Sequence, residues 1–556
     1  MYEALTISLF KKSRQRRRRS CKMKQDYDGK KWLFSLINKL PIFKNSRTLF
    51  CTVLCVRLFN SLTLRTFFQA DEYWQSLEPA HELVYGYGYL TWEWKQGIRS
   101  FSYPLLYSIV YQICSMFQLP YSFIIYLPKV VNAIIASIGE YYLYKLAQKV
   151  FRKDALARLT ILLSLISSFN WYCSTRSFSN TLELHLTTIA MYFYANSEIL
   201  QCFFVAAFCC LIRPTNAIIW IYLAIKYIRS HTVGQSLQFV KRATVAGTTM
   251  ITVDAVINHW YYGNWKSPLL SFFQFNVGKG LSSFYGISRP DFYFIQGIPI
   301  LLLNFLPLFL YGIFIKEANL ESLKLLGLVY VLLFSLIQHK EFRFIYPLMP
   351  VLLMVTSSGF SHLFQKLSVK TTKLLVLFTI IISVLLSFDF SIWHESGEIA
   401  VIGILREKVL QDRKRKLGEI TNIGFLTPCH STPYQSYFHL EPSVADIWWL
   451  TCEPPLHLNS ADELKNYKDE SDLFYEDPKA FLGQNFPDTN DSTNIAPNTK
   501  YAHSWPDYLI IFQQLEPLMH NTLEEFNYIE DERIFNSKFH WDYRRMGDII
   551  IYHKVN

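Results

Sequence analysis

Leu374-Leu-Val-Leu-Phe-Thr-Ile-Ile-Ile-Ser-Val-Leu-Leu-Ser-Phe388 runs without a charge between Lys373 and Asp389, and stretches of this kind decide the fold. A helix needs about 20 apolar residues to cross a bilayer. Apolar stretches of about 16 to 25 residues recur from Thr48 to Phe390, each bounded by Lys, Arg, Pro or a short polar loop. The fold class expected is therefore mainly α, a polytopic membrane helical bundle. Spans are expected near 48-65, 121-143, 155-170, 181-197, 201-212, 214-228, 241-258, 292-315, 325-338, 344-361 and 374-391, about 11 spans in all.

The 556 residues are 51% hydrophobic with a net charge of +11, but the charge is unevenly placed. Residues 1 to 391 hold 40 Lys and Arg against 18 Asp and Glu, and residues 392 to 556 hold 15 against 26. The basic balance is local and gives no reason to expect a nucleic-acid partner. It begins at Lys11, Lys12, Arg14 and Arg16 to Arg19, ahead of the first apolar run. Positive flanks stay on the cytosolic side, so the basic N-terminal segment 1-47 is expected in the cytosol; a nuclear signal is the competing reading. No small-residue cleavage site follows Leu49 to Leu64, which makes that run a signal anchor and not a cleaved leader.

The basic residues set the sidedness of the loops. Lys145, Lys149, Arg152, Lys153 and Arg158 fall in one cytosolic loop, Lys226, Arg229, Lys241 and Arg242 in a second, and Lys366, Lys370 and Lys373 in a third. An odd number of spans then leaves the region from 392 in the lumen. Ser102 to Leu119 is apolar enough to be a further span, but counting it would move the loop at 145 to 158 across the membrane. It is expected to be a helix packed on the membrane face within the first lumenal loop, 66-120. The fifth and sixth spans meet at Arg213-Pro214, where a broken helix is the alternative to two crossings.

From Ile392 the pattern shifts to short alternating runs such as Tyr508-Leu-Ile-Ile-Phe512 and Asp548-Ile-Ile-Ile-Tyr552, the mark of strands in a small α/β domain. Asn490-Asp491-Ser492 is a glycosylation sequon that suits a lumenal loop. Most of the ten cysteines lie in apolar runs, where a packed thiol is the default. Cys429 and Cys452 lie in the polar tail, and a disulfide between them is possible if the tail is lumenal.

Directly after the first span comes Phe67-Phe-Gln-Ala-Asp-Glu-Tyr-Trp-Gln-Ser-Leu-Glu78. On a helix Asp71, Gln75, Glu78 and Glu82 would share one face, with Trp74 and Leu77 opposite and a kink at Pro79. The bland reading is an amphipathic helix with a solvated acidic face. The chemical one is general-base catalysis, in which a positioned carboxylate takes the proton of an attacking hydroxyl and supplies about 10²- to 10⁴-fold. Asp71 is the first choice and Glu72 the reserve.

Gln338-His-Lys-Glu-Phe-Arg-Phe344 lies between two apolar runs. Charges at a span end either snorkel to headgroups or serve a site. In the second case Lys340 and Arg343 would neutralise a departing phosphate, with the planar guanidinium gripping two oxygens, His339 beside them and Glu341 holding one cation in place. Arg176 and Asn180, four apart in Ser174-Thr-Arg-Ser-Phe-Ser-Asn-Thr-Leu-Glu183, and Arg213 in Arg213-Pro-Thr-Asn216 could bind phosphate or sugar. Equally, Asn180 could cap a helix and Arg213 could satisfy backbone carbonyls at a break. Tyr85-Gly-Tyr-Gly-Tyr-Leu-Thr-Trp-Glu-Trp94 with Arg99 offers Trp92 and Glu93 either as a sugar platform or as an interfacial aromatic belt. No Walker loop, dinucleotide-binding glycine pattern, zinc-type Cys/His spacing or Gly-x-Ser-x-Gly occurs where it would matter.

Five motifs in this order, Asp-Glu-Tyr-Trp-Gln-Ser-Leu-Glu, Gly-Tyr-Leu-Thr-Trp-Glu-Trp, Ser-Thr-Arg-Ser-Phe-Ser-Asn-Thr-Leu-Glu, His-Lys-Glu-Phe-Arg-Phe and Pro-Cys-His-Ser-Thr-Pro-Tyr, carry a resemblance. Over nearly all of 48 to 556 the chain resembles the family of third GPI mannosyltransferases, within the dolichyl-phosphate-mannose-dependent GT-C class. The first and fourth motifs are shared with sibling mannosyltransferases of N-glycan and GPI assembly. The resemblance implies a GT-C transmembrane catalytic domain at 48-391 and a lumenal C-terminal α/β domain at 392-556, in the endoplasmic-reticulum membrane. It implies inverting α-1,2 transfer of mannose from dolichyl phosphate mannose to the second mannose of the GPI core. Asp71, with Glu72, falls in the family's first acidic motif, and His339, Lys340, Glu341 and Arg343 form its second. Many relatives have His-Pro where this chain has Gln69-Ala70. No cofactor or metal is expected; the partners expected are the lipid-linked donor and the GPI-precursor acceptor. Two rival readings are a sibling enzyme acting on the dolichol-linked N-glycan precursor and a lipid or sugar transporter, the latter calling for an internal repeat that the chain does not show.

Overall fold

The computed structural model describes residues 28–275, 284, 286–415, 419–456, 466–488 and 493–555. The basic cluster at 11–19 and the sequon at Asn490 lie outside these residues. Each segment expected to cross the membrane contains a helix, among them Ser46–Thr63, Tyr121–Phe151, Asp154–Ile166, Ser179–Ala195, Ile199–Ile212, Ala217–Ser230, Val233–Tyr262 and Glu321–Ser335. By length and composition, however, only four helical stretches among the described residues are apolar and long enough to span: Tyr121–Phe151, Tyr293–Ile313, Phe342–Gln365 and Val369–Arg415. The count of eleven is therefore not established. Ile199–Ile212 has 14 residues, about 21 Å at 1.5 Å per residue and short of a bilayer core. It stops because Arg213 turns extended (φ −134°, ψ 91°) and Pro214 begins the next turn. Val233–Tyr262 is long enough but carries Lys241, Arg242 and Asp254. Pro104–Met116, in the loop segment that could have been a further span, has 13 residues. An unforeseen helix, Gly29–Lys39, precedes the bundle.

Contacts sort the loops into two rims. On one, Arg158 donates to Asn38 at 2.9 Å, Asn319 to the Val150 carbonyl at 3.0 Å and Lys226 to Ser322 at 2.5 Å, while Gly29 N–H donates to the Leu367 carbonyl at 3.1 Å. All three basic loops thus share this rim. On the other, the exits of the 46–63 and 369–388 helices are zipped together, Arg65 N–H to Ser391 O and Phe67 N–H to Glu395 O, both at 2.8 Å. The segment around 100 is tied there to the 233–262 helix by Ser100 and Ser102, both donating to Asp254 (2.5 and 2.6 Å), and by Phe101 N–H donating to the Asn258 amide oxygen (2.9 Å).

Above this second rim sits a five-stranded sheet in the order β2-β1-β3-β5-β4, built from β1 (Thr421–Phe425), β2 (Ala445–Trp449), β3 (Tyr508–Phe512), β4 (Tyr528–Ser537) and β5 (Gly547–Lys554). β1 runs parallel to β2 and β3, and β5 antiparallel to β3 and β4. Strand β3 is buried on both faces, so it reads as a continuous apolar run. One face packs Ile423, Ile510 and Ile551 on Val401, Leu405 and Val409 of the Gly397–Arg415 helix, and that core runs without a break into Phe67, Tyr73 and Trp74 of the first loop. The other packs Leu509 and Ile511 on Phe481, Leu482 and Met519. The sheet domain and the first loop therefore share one core.

Within the bundle, Arg57 of the 46–63 helix pairs with Glu140 of the 121–151 helix, their side chains 0% and 4% exposed. Asn60 accepts from Arg57 (3.1 Å) and Ser164 donates to Glu140 (2.8 Å). A lone charge in a long apolar run signals such a partner, and sequence reasoning passed over both. Removing one member strands the other, at about 3–5 kcal/mol, whereas replacing both by apolar residues removes the stranded charge. We expect Glu140→Ala to lower the melting temperature of the detergent-solubilised protein sharply and the double variant Arg57→Leu/Glu140→Leu to recover much of it; equal melting of the single and double variants would show that the pair is not coupled.

Candidate functional site

The helix that follows the first membrane exit does not present its carboxylates on one face. Pro79 lacks an N–H and its ring would crowd the carbonyl four residues back; the chain widens into a π-turn over Tyr73–Leu77, closed by Glu78 N–H to Tyr73 O. The extra residue rotates Glu78 away from Asp71. Glu78 is buried and accepts from Tyr434 N–H (2.9 Å), Ser436 N–H (3.1 Å) and the Ser436 hydroxyl (2.5 Å). Burial pushes its carboxyl up to about 7, against these hydrogen bonds. It anchors the C-terminal domain, and the expectation that it meets substrate gives way to this role. Gln75 is half-buried and its side chain makes no hydrogen bond among the described residues.

Asp71 and Glu72, adjacent in sequence, diverge. Glu72 pairs with Arg176 at 2.8 Å, both buried. Arg176 also donates to the Tyr172 carbonyl, the Thr66 carbonyl and the Thr66 hydroxyl, each at 2.8 Å. Its side chain is 0% exposed and committed to protein partners, so the structure uses it as a clamp on the first membrane exit and not as a phosphate ligand. Asp71, 25% exposed, instead meets Arg343 at 2.5 Å through Oδ2. Its Oδ1 makes no hydrogen bond among the described residues.

Arg343 is held from both sides. Glu341 accepts from its Nε (2.7 Å) and Nη2 (2.8 Å), and His339 lies 3.2 Å from the same carboxylate. Burial opposes the charge on Glu341, but Arg343 and His339 outweigh it and hold the carboxyl well below the usual range. Asn180 donates to the Arg343 carbonyl and to Glu183, both at 3.3 Å, which places it beneath the site and not as a cap. Lys340 donates to the Ser288 carbonyl at 3.0 Å.

Arg213 is differently situated. It approaches Glu183 at 3.6 Å as an ion pair, but its guanidinium makes no hydrogen bond among the described residues, although 12% exposed. It lies over the Phe344 ring at 5.4 Å, with Arg343 on that ring at 5.7 Å. Burial lowers its pKa; Glu183 and Asp71 work against this, and Arg343 and Arg99 work with it. A buried cation under such pressure gains from a further anion. Arg99 donates to Glu93 at 2.7 Å; burial opposes its charge, and Glu93 and then Asp71 raise it. Arg343 thus touches Asp71, while Arg99 and Arg213, on two other segments, feel its charge. Trp92 does not face this space: it packs on Phe275 at 4.8 Å in a small apolar cluster.

The fourth wall comes from the C-terminal domain. The loop before the Gln435–Phe438 helix sits on the first-loop helix, with Trp74 Nε1 donating to the Thr432 carbonyl at 3.1 Å and the Trp74 ring stacked on Tyr434. Cys429 and Cys452 are joined in a disulfide. With His430 they form a compact trio, but sulfurs bonded to each other offer no thiolate to a metal. Sequence reasoning gave His430 no chemical part, although it lies in Pro428-Cys-His-Ser-Thr-Pro-Tyr434, one of the motifs that carry the resemblance.

Comparison with known proteins places this architecture. Residues 48–439 match the model of the Alg9-like mannosyltransferase family. The chain is 43% identical to GPI mannosyltransferase 3 of Debaryomyces hansenii over 94% of both proteins, and 41% identical to GPI mannosyltransferase 3 of Candida albicans, covering 91% of this chain and 98% of that one. With GPI mannosyltransferase 3 of Saccharomyces cerevisiae it shares 34% identity, covering 91% and 96%. Among solved structures, ArnT from Cupriavidus metallidurans bound to undecaprenyl phosphate shares the fold, with a TM-score of 0.52 and 12% identity over 90% of this chain and 97% of that one. Two adjacent carboxylates at a membrane exit, one paired with Arg176 and the other with Arg343, thus belong to a glycosyltransferase, and the chain is a member of the Alg9-like mannosyltransferase family, grouped with the GPI mannosyltransferase 3 proteins.

Proposed function

We propose that this enzyme transfers the third mannose of the GPI anchor, in α-1,2 linkage with inversion, from dolichyl phosphate mannose to the Man2-GlcN-PI intermediate at the lumenal face of the endoplasmic-reticulum membrane. The names of the relatives supply the pathway. The observation that carries the chemistry is Asp71, with one carboxylate oxygen on Arg343 and the other unbonded, at the rim opposite the basic loops. The acceptor's 2-hydroxyl oxygen attacks the anomeric carbon of the donor mannose and gives its proton to Asp71 Oδ1. The bond from that carbon to the phosphate oxygen breaks, and the electron pair leaves with dolichyl phosphate. Arg213 and Arg343 meet the charge that grows on the phosphate, and since they are fixed before the reaction they need not reorganise. Glu341 keeps Arg343 aimed, and His339 steadies Glu341.

The adjacent carboxylates make separable tests. We expect Asp71→Asn to keep the protein folded and to lower turnover by about 10²- to 10⁴-fold. Glu72→Gln leaves Arg176 buried with a weaker partner, so we expect less folded protein but a near-normal rate per folded molecule. Equal per-molecule losses in both would contradict this division of roles. Arg213→Ala is expected to raise the KM for the donor while leaving that for the acceptor unchanged. In cells lacking the protein, the accumulated GPI intermediate is expected to carry two mannoses; one or three would redirect the assignment, and purified enzyme that preferred the dolichol-linked N-glycan precursor would favour the sibling activity.

A further inference from the structure

His430 reaches the first loop from outside the membrane domain. Its ring packs against the Trp74 indole at 4.4 Å between centroids, one turn beyond Asp71. The loop that carries it is held at several points, by the 429–452 disulfide, by Trp74 on the Thr432 carbonyl and by Glu78 on the Tyr434 and Ser436 N–H groups. His430 sits in the left-handed region with φ +55°. A residue with a side chain is strained there and persists only where its surroundings over-determine it. Its Nδ1 lies 3.6 Å from Cys452 Sγ, and Nε2 makes no hydrogen bond among the described residues.

The half-buried ring is kept neutral. Burial takes its pKa down to about 4, and only Asp71 pulls the other way. A neutral imidazole donates through one nitrogen and accepts through the other, which suits a sugar hydroxyl and not a phosphate. The aromatic rings next to it, Trp74, Tyr434, Tyr89 and Trp449, form one cluster between the first loop and the C-terminal domain. Arg213 and Arg343 stand on the membrane-domain side, where a lipid phosphate would arrive.

We propose that His430 is an acceptor-binding residue: through Nε2 it hydrogen-bonds a hydroxyl of the acceptor's terminal mannose and holds that sugar against Asp71, so that the C-terminal domain shares in choosing the acceptor. The inference rests on the acceptor assignment made above. The test uses full-length protein in detergent with dolichyl phosphate mannose and Man2-GlcN-PI, measuring KM for each substrate separately along with kcat. Loss of one hydrogen bond to the acceptor in His430→Ala is expected to raise the acceptor KM about tenfold with the donor KM unchanged. Asn tolerates the left-handed backbone and offers both a donor and an acceptor, so His430→Asn keeps the loop and recovers most of the acceptor affinity. An acceptor KM unchanged in both variants, or donor and acceptor KM rising together, would overturn the inference alone. Wild-type protein that ignored this acceptor would overturn the assignment beneath it, and the inference with it.

Discussion

The ion pair between Asp71 and Arg343, 272 residues apart in the chain, is the contact on which the site depends. It joins the first loop to the entrance of the 342–365 helix and fixes Asp71, whose second carboxylate oxygen is unbonded among the described residues. The pair is not left to itself. Glu341 takes the other edge of the guanidinium, and Asn180 holds the backbone of Arg343. A guanidinium held by carboxylates on two edges keeps its charge and its orientation, which is what a fixed electrostatic partner for a reacting phosphate requires.

Adjacent carboxylates divide the labour. Glu72 turns inward to Arg176, which closes the membrane exit by binding Thr66 and Tyr172. This clamp and the backbone zipper between 65–67 and 391–395 set the height of Asp71 above the bundle. The π-turn after it then aims Glu78 at the opposite wall. One short segment thereby connects the membrane domain, Asp71 and the C-terminal domain, and a core running from Phe67 to Ile551 makes them mechanically continuous.

Much of this was legible in the sequence. The apolar runs located every helix of the bundle, because side chains facing lipid or a dry interior leave no polar alternation to misread. The positions of Lys and Arg placed three basic loops together, and the structure brings them to one rim. Asp71 and the 339–343 cluster stood out because charges at span ends are costly. Other features were hidden for physical reasons. Helical spacing put Glu78 beside Asp71, but a missing N–H at Pro79 shifts the phase. Arg176 and Arg213 look equivalent in sequence; only the fold shows that one is saturated and the other lacks hydrogen bonds. His430 depends on a loop folding back from a separate domain, which no local pattern encodes. The span number stays open, because interrupted helices of 13 or 14 residues share the composition of full crossings.

The central claim is that a lipid phosphate is received by Arg213 and Arg343 directly across from Asp71. Determining the structure of the full-length protein with dolichyl phosphate bound tests it most directly. The account requires the phosphate within hydrogen-bonding distance of both guanidinium groups, with Asp71 Oδ1 facing the position of the anomeric carbon. A phosphate seated on the rim of the basic loops, or one bound where neither arginine reaches it, would contradict the account.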